Sequence, residues 1–209
     1  MMTEHPSNLF DQTLHIQDLC KSYHQEPVLD RLSMTLSYGH RYCLMAPSGT
    51  GKTTLFRILL GLDHADSGQI HGLAGLRTSA VFQEDRLLEG YTALENIRFV
   101  TGRQYSNREL TDLLLRLLPA EALTKPVCEF SGGMKRRTAI LRALLAPADL
   151  IIMDEPFTGL DADTKRNAME LIKEYTHGKL LLFSTHHEED ARLLDAELIY
   201  LKYETDCLR

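Results

Sequence analysis

The chain has 209 residues, 44% hydrophobic and 25% charged, a composition typical of a soluble globular protein with one large domain or one domain with an inserted lobe. Its formal net charge of -6 argues against a nucleic-acid binder that relies on a broad basic surface. The four cysteines are scattered without CxxC or metal-ligand spacing, which indicates a reducing compartment. We find neither a signal peptide nor the ~20 consecutive apolar residues of a membrane span, so we expect a soluble protein.

The predicted elements begin with a β-rich N-terminal region. Residues 14–42 and 68–78 carry strand and turn signals, and we expect them to form an antiparallel layer. Four short apolar runs without alternation predict strands that are buried on both faces of a parallel sheet. These runs are YCLM at 42–45, AVF at 80–82, LIIM at 150–153 and LLLF at 180–183.

Helical patterns lie between these runs. Residues 55–60 continue from a glycine-rich loop, and residues 163–176 form a second helix. The stretch from about 84 to 148 has helical patterns and little strand signal, including a capping box at 106–109 ahead of a leucine stripe. We therefore predict an α/β fold with a mainly parallel sheet, an N-terminal antiparallel β layer and an inserted helical lobe, all in one domain of residues 1–209.

Polar residues follow each of the four apolar runs. The glycine-rich loop follows the first run, Gln83 the second, Asp154 and Glu155 the third, and His186 comes shortly after the fourth. Ligands of open α/β sheets bind outside the carboxyl ends of the strands. The four strand ends therefore predict one common site.

The loop APSGTGKT at 46–53 fits the phosphate-binding pattern, except that an alanine replaces the usual first glycine. Its glycines allow backbone N–H groups to turn inward around phosphate oxygens. Lys52 is suited to contact the β- and γ-phosphates, and the Thr53 hydroxyl to ligate Mg²⁺. The predicted nucleotide-binding residues of this segment are Ala46, Pro47, Ser48, Gly49, Thr50, Gly51, Lys52, Thr53 and Thr54.

Two adjacent acids leave a buried strand in LIIMDEP, which is costly unless a cation lies nearby. Asp154 is suited to hold Mg²⁺ through water, and Glu155 to orient an attacking water and accept its proton. Gln83 and His186 are each, taken alone, more often structural residues. Their positions at matching strand ends favour a functional role instead.

The segment FSGGMKRR at 130–137 predicts a second anion site. It has the pattern of a loop that turns into a helix, with three cations in the first helical turn. Positive charge is unfavourable at a helix N-terminus, unless an anion binds at the same place.

Together these segments resemble one family. APSGTGKTT, Gln83, FSGGMKRR, LIIMDEPFTGLD and STH occur in the order seen in ATP-binding cassette (ABC) transporter ATPases, and the resemblance covers residues from about 14 to 203. It implies a P-loop ATPase core that binds and hydrolyses ATP with Mg²⁺. Lys52, Glu155 and His186 would be catalytic, with His186 on the γ-phosphate. The implied metal residues are Thr53, Gln83 and Asp154.

The resemblance also implies sites beyond the phosphate loop. Tyr23 would stack on adenine, although a half-buried strand tyrosine is an equally good interpretation. Gln83 would sense Mg²⁺ and the membrane partner, and Asp161 would act across a dimer interface. In this family two ATPase domains pack head to tail, so the second anion site would belong to the partner's ATP. It would consist of Ser131, Gly132 and Gly133.

The implied partners are transmembrane permease subunits, a second copy of the ATPase and an extracytoplasmic solute-binding protein, without direct contact to nucleic acid. The protein would then lie in the cytoplasm, on the inner face of the membrane. Met134 replaces the commoner glutamine of the SGG motif. Together with VFQEDRLLEGYTALENIRF it resembles importers of nitrate, sulfonates and taurine, which favours import of a small anion.

Two alternatives remain open. One is a soluble ABC ATPase that acts on nucleic acid, ribosomes or Fe–S assembly, although tandem cassettes, zinc modules and long coiled coils are not seen in the sequence. The other is a catalytically weak docking subunit of an asymmetric pair, which Glu155 and His186 argue against.

Overall fold

The computed structural model describes residues 13–47 and 49–201. The described strands are β1 (Thr13–Tyr23), β2 (Glu26–Ser37), β3 (Arg41–Met45), β4 (Ser67–His71), β5 (Thr78–Val81), β6 (Leu150–Met153), β7 (Leu180–Ser184) and β8 (Glu197–Tyr200). The described α-helices are α1 (Lys52–Leu59), α2 (Ala93–Thr101), α3 (Asn107–Leu115), α4 (Gly132–Leu145), α5 (Ala162–Tyr175) and α6 (Glu188–Leu193). Short 3₁₀ turns lie at Ala120–Ala122 and Val127–Glu129.

A five-stranded parallel sheet forms the centre of the molecule, in the order β5-β6-β7-β3-β8. The four predicted apolar runs form the first four strands in this order. The fifth strand, β8, was not predicted from an apolar run. Successive residues of β6 and β7 belong to different cores: Ile152 and Leu182 face α1, whereas Ile151 and Leu181 face the helices of residues 93–145. Both faces of these strands are covered, which explains why their sequences do not alternate.

The N-terminal layer is a three-stranded antiparallel sheet in the order β2-β1-β4. Its inward residues, such as Leu14 and Leu36, share a core with Leu55 and Leu59 of α1. Helix α1 is thus packed between the two sheets, which positions the loop that precedes it. The predicted antiparallel layer is confirmed.

Between β5 and β6 the described secondary structure is helical. Helices α2 and α3 each begin with a capping box, the second formed by Ser106 and Glu109 as the sequence predicted. Leu110 and Leu114 of α3 are buried, so the leucine stripe packs in the core. The predicted fold class is confirmed, whereas the boundaries of the lobe and the assignment of residues 1–209 to one domain stay predictions.

The two longest of the described helices, α4 and α5, have 14 residues each. Across residues 13–47 and 49–201, we find no helix with both the length and the apolar character needed to cross a membrane.

Candidate functional site

The phosphate loop connects β3 to α1. Gly49 and Gly51 both have φ of 84°, in the left-handed region that favours glycine. A Cβ on Gly51 would also lie 2.6 Å from the carbonyl oxygen of Val28. The backbone here therefore needs glycine for two reasons, conformation and space. The predicted residue Ser48 lies outside the described residues.

Lys52 is the first residue of α1 and is only 7% exposed. Its ammonium group donates hydrogen bonds to the carbonyl oxygens of Ala46, at 2.5 Å, and Pro47, at 3.1 Å. The Thr50 hydroxyl donates to the Pro47 carbonyl as well. The cation is thus held at the loop, where it can contact a phosphate group.

A hydrogen-bonded chain joins α1 to the ends of β6 and β7. The Thr53 hydroxyl donates to Asp154 Oδ2 at 2.7 Å, and the Ser184 hydroxyl donates to Asp154 Oδ1 at 2.7 Å. The backbone N–H of Glu155 donates to Ser184 Oγ at 3.0 Å. Asp154 is almost fully buried. One donor from α1 and one from β7 hold its carboxylate from two sides.

Glu155 has an unusual backbone conformation, with φ of 49°. Non-glycine residues adopt this region rarely, and such strain is concentrated at functional sites. Its carboxylate lies 2.7 Å from Nε2 of His186 and also accepts a hydrogen bond from the Thr158 hydroxyl at 3.3 Å. The structure thus brings Glu155 and His186 into direct contact.

A cavity of about 260 Å³ lies at the phosphate loop, and His186 lines a neighbouring cavity that shares Glu155 with it. The lining residues of the phosphate-loop cavity are Val28, Gly49, Thr50, Gly51, Lys52, Thr53, Thr54, Gln83, Asp154 and Glu155. The hydroxyl, amide and carboxylate oxygens of Thr53, Gln83 and Asp154 are hard donors of the kind that Mg²⁺ prefers. Since Thr53 and Asp154 are already in contact, the donor set fits this ion.

Tyr23 lies at the end of β1 and is 38% exposed, but it does not line this cavity. Its hydroxyl donates to Asp63 Oδ2 at 2.5 Å. This bond, followed by one from the His64 N–H, lowers the pKa of Asp63 to about 2. The Asp63 carboxylate in turn raises the pKa of Tyr23. The ring is therefore held at the surface, and its role toward adenine stays a prediction.

The second predicted anion site lies at the N-terminus of α4, apart from the cavity. Ser131 caps the helix by accepting from the Met134 N–H at 3.3 Å, and both Ser131 and Gly132 are exposed. A Cβ on Gly133 would lie 3.4 Å from the carbonyl oxygen of Gly159, so the α4 N-terminus adjoins the segment that leads into α5.

The prediction that all three cations of FSGGMKRR lie in the first helical turn is wrong. Because α4 begins at Gly132, Lys135 is its fourth residue, and the two arginines lie in the second turn. Arg136 is buried, donates to the carbonyl oxygens of Phe82 at 2.6 Å and Gln83 at 2.5 Å, and pairs with Asp85 at 3.1 Å. The arginine supports the segment that carries Gln83, so it does not require a bound anion.

Asp161 caps α5. Its carboxylate accepts from the backbone N–H of Thr164 at 2.9 Å, and this bond is the main cause of its lowered pKa. Asp161 is exposed and does not line the phosphate-loop cavity. The position of Asp161 therefore gives it no contact with the phosphate-loop cavity of its own chain. Its predicted role across a dimer interface stays a prediction.

A protein-family model described as "ABC transporter" matches residues 29–158. The chain belongs to the ABC transporter family. Two curated ABC relatives illustrate the similarity. The Nod factor export ATP-binding protein I of Sinorhizobium fredii is 36% identical over 203 residues, covering 88% of this chain and 59% of the relative. The aliphatic sulfonates import ATP-binding protein SsuB 1 of Nocardia farcinica is 36% identical over 189 residues, covering 88% of this chain and 76% of the relative.

The chain spans about three fifths of the length of the Nod factor relative. The names of these ABC proteins include both importers and exporters. Among solved structures, a dimer of the ATP-binding cassette MJ0796 in a post-hydrolysis state with ADP and Pi has a TM-score of 0.77 and 26% identity, covering 90% of this chain and 94% of that one. A second dimeric structure of MJ0796 has a TM-score of 0.78 and 27% identity. These neighbours confirm the fold of an ABC cassette.

Ser184 is the residue of this ABC site to which the sequence did not assign a role. Its only signal was a polar residue next to the end of a buried strand. The contacts of Ser184 with Asp154 and Glu155 depend on β6 and β7 being neighbours in the sheet, which no local pattern specifies.

Proposed function

We propose that this protein is the ATP-binding and ATP-hydrolysing subunit of a membrane transporter. The observation that carries the proposal is the arrangement at the phosphate loop: Thr53, Asp154 and Glu155 line one cavity, in which Asp154 contacts Thr53. Glu155 also contacts His186, which lies beside this cavity. Family membership and the ADP-bound neighbour support ATP as the nucleotide.

Each side chain has a role in this proposal. The loop N–H groups and Lys52 bind the phosphates, and Lys52 offsets the negative charge that develops during transfer. Thr53, Gln83 and Asp154 would hold Mg²⁺, which supplies further positive charge to the phosphates. Glu155 orients the attacking water and accepts its proton.

His186 contacts the Glu155 carboxylate, and it would contact the γ-phosphate of bound ATP. Tyr23 stacks on the adenine ring. The role of His186 rests on the family pattern and on its contact with Glu155, whereas the role of Tyr23 rests on the family pattern alone.

Glu155→Gln tests the catalytic assignment. The amide keeps the shape of the side chain but cannot accept the proton of water, so nucleotide should still bind while turnover falls about 100-fold or more. Glu188→Gln is a matched control, because Glu188 accepts a comparable hydrogen bond from the Tyr200 hydroxyl, at 2.9 Å, outside the site. Near-normal hydrolysis by folded Glu155→Gln protein would overturn the assignment.

We also propose a head-to-tail dimer in which Ser131, Gly132 and Gly133 cap the ATP of the other protomer. The dimeric solved neighbours and the exposed α4 N-terminus support it. A hybrid of one Lys52→Ala protomer with one Ser131→Arg protomer has one composite site without a defect, whereas each parent homodimer has none. We expect the hybrid to hydrolyse about one ATP per dimer in a single turnover. A hybrid as inert as its parents, despite proven assembly and nucleotide binding, would exclude the dimer.

The proposed partner is a pair of permease subunits at the inner face of the membrane. The surface of residues 88–99 exposes the apolar side chains of Leu88, Tyr91 and Phe99, and the two rings pack edge to face at 5.1 Å. A short helix of the permease would cover this apolar surface. Tyr91→Ser/Phe99→Ser should abolish recovery with co-expressed permease in membranes, while ATP binding persists. Recovery of wild-type protein only with nucleic acid or ribosomes would contradict this partner.

The proposed cargo is a small anionic solute that is imported, with an extracytoplasmic solute-binding protein as a further partner. Relatives named for sulfonate and for sulfate/thiosulfate import support this direction, whereas the Nod factor relatives are named for export. Uptake of labelled sulfonate and sulfate into cells that express the complex tests it. Efflux without uptake would contradict import.

A further inference from the structure

A buried carboxylate lies behind the candidate site. Asp190, in the first turn of α6, is 0% exposed, and none of the roles above uses it. Its Oδ2 accepts a hydrogen bond from the Thr185 hydroxyl at 2.7 Å, and its Oδ1 forms an ion pair with Lys165 of α5. The negative charge of Asp190 adds to burial in raising the pKa of the Cys43 thiol to about 12. A charge this deeply buried is costly and requires compensation from its partners.

Both neighbours of His186 are tied to Asp190. Thr185 donates to its carboxylate, and the Asp190 backbone N–H donates to the carbonyl oxygen of His187 at 3.0 Å. The His187 N–H in turn donates to the Thr185 hydroxyl at 3.2 Å. Asp190 therefore fixes the residues on both sides of His186.

Packing does not hold the His186 ring itself. Its side chain is 45% exposed and borders a cavity of about 320 Å³, which Glu155, Lys165 and Asp190 also line. The direction of the ring then depends on the backbone that carries it, together with the contact with Glu155 itself. That backbone is the segment tied to Asp190.

Lys165 connects this segment to a second element. Its Nζ lies 5.5 Å from the centre of the Phe157 ring, and its backbone N–H donates to the Asp161 carbonyl oxygen at 2.9 Å. Lys165 thus lies one helical turn beyond the cap of α5. Asp190 therefore connects the start of α5 to the segment around His186.

We propose that Lys165, Asp190 and Thr185 are positioning residues that hold His186 against Glu155. None of the three lines the phosphate-loop cavity. The assignment rests on the proposed function of Glu155 and His186, and it extends the site to a buried ion pair between α5 and α6.

Thr185→Val and Lys165→Met test the proposal by activity. Valine keeps the shape of threonine without its hydroxyl, and methionine removes the ammonium group. In each variant kcat should fall about tenfold to 100-fold, because a small misplacement of a catalytic group has an effect of this size. The KM for ATP should change by less than about threefold, because the phosphate loop is intact. Lys165→Arg keeps a cation that can pair with Asp190, so it should retain at least half of the wild-type kcat, unlike Lys165→Met.

Lys173→Met is the matched control. Lys173 is also on α5 and pairs with Asp195, just beyond α6, at 2.6 Å. It joins the same two parts of the chain but lies outside the cavity beside His186. We expect its kcat to equal that of the wild type. A loss equal to that of Lys165→Met would show a general effect of α5 packing and would overturn the proposal.

A second measurement does not depend on hydrolysis. The ¹⁵N resonance of His186 Nε2, assigned with His186→Gln, reports the contact with Glu155. It should shift in Glu155→Gln, shift in the same direction in Thr185→Val and Lys165→Met, and stay unchanged in Lys173→Met. An unchanged resonance in folded Thr185→Val protein would overturn the proposal, even if Lys165→Met does not fold. A wild-type protein without ATPase activity would refute the proposed function, while the resonance would still decide the positioning.

Discussion

The hydroxyl of Ser184 connects the two acidic residues of the candidate site. Ser184 is the last residue of β7 and is fully buried, and its Oγ donates to Asp154 at 2.7 Å and accepts from the Glu155 N–H at 3.0 Å. Ser184→Ala removes both hydrogen bonds and changes the volume of the side chain very little. We therefore expect it to lower both the stability and the turnover of the protein.

The size of the effect follows from the two bonds. A hydrogen bond to a charged group contributes about 1.5–3 kcal/mol, and an unpaired buried N–H costs about 1–3 kcal/mol. The lower ends apply, because Asp154 keeps the Thr53 hydroxyl as a donor and Glu155 is only partly buried. The free energy of unfolding should fall by about 2–3 kcal/mol. Turnover should fall about tenfold or more, because Glu155 is then less well positioned.

Urea unfolding without nucleotide and steady-state ATP hydrolysis measure the two effects. Ser79→Ala is the control, because the half-buried Ser79 makes one hydrogen bond, to the carbonyl oxygen of Ala143 at 2.8 Å, and contacts no site residue. It should lose about 1 kcal/mol of stability with normal turnover. If Ser184→Ala is as active as the wild type and as stable as Ser79→Ala, the reasoning about Ser184 is refuted.

Two further predictions concern stability. Ser106→Ala removes the capping box that Ser106 shares with Glu109, so the free energy of unfolding should fall by about 1 kcal/mol. Urea titration measures this change, and an unchanged unfolding midpoint would contradict the prediction. Asp63 has a pKa lowered from 3.8 to about 2, first by the Tyr23 hydroxyl, so its ionised form stabilises the fold above about pH 4 and this contribution is lost as the pH falls toward 2. Asp63→Asn should therefore lose less stability than the wild type over that range, and equal slopes of stability against pH would refute the assignment.

Local patterns in the sequence determined much of the fold. The unbroken apolar runs predicted β6 and β7 because strands covered on both faces have no polar side to alternate with. The capping box at Ser106 was predictable because its hydrogen bonds span only three residues. The phosphate loop was recognisable because glycines, lysine and threonine must have fixed spacing to surround a phosphate. The roles of these residues toward nucleotide stay predictions.

The tertiary structure alone decided which side chains meet. Strand β8 lies at a sheet edge, and its two terminal residues are exposed, so its sequence has no strong buried run. The bond between Ser184 and Asp154 joins residues 30 apart, and it exists only because β6 and β7 are hydrogen-bonded neighbours. The burial of Arg136 likewise depends on carbonyl oxygens more than 50 residues away, so its charge was misread as a sign of an anion. Sequence periodicity reports the burial of each element, whereas partners this distant are set by the order in which the strands and helices pack.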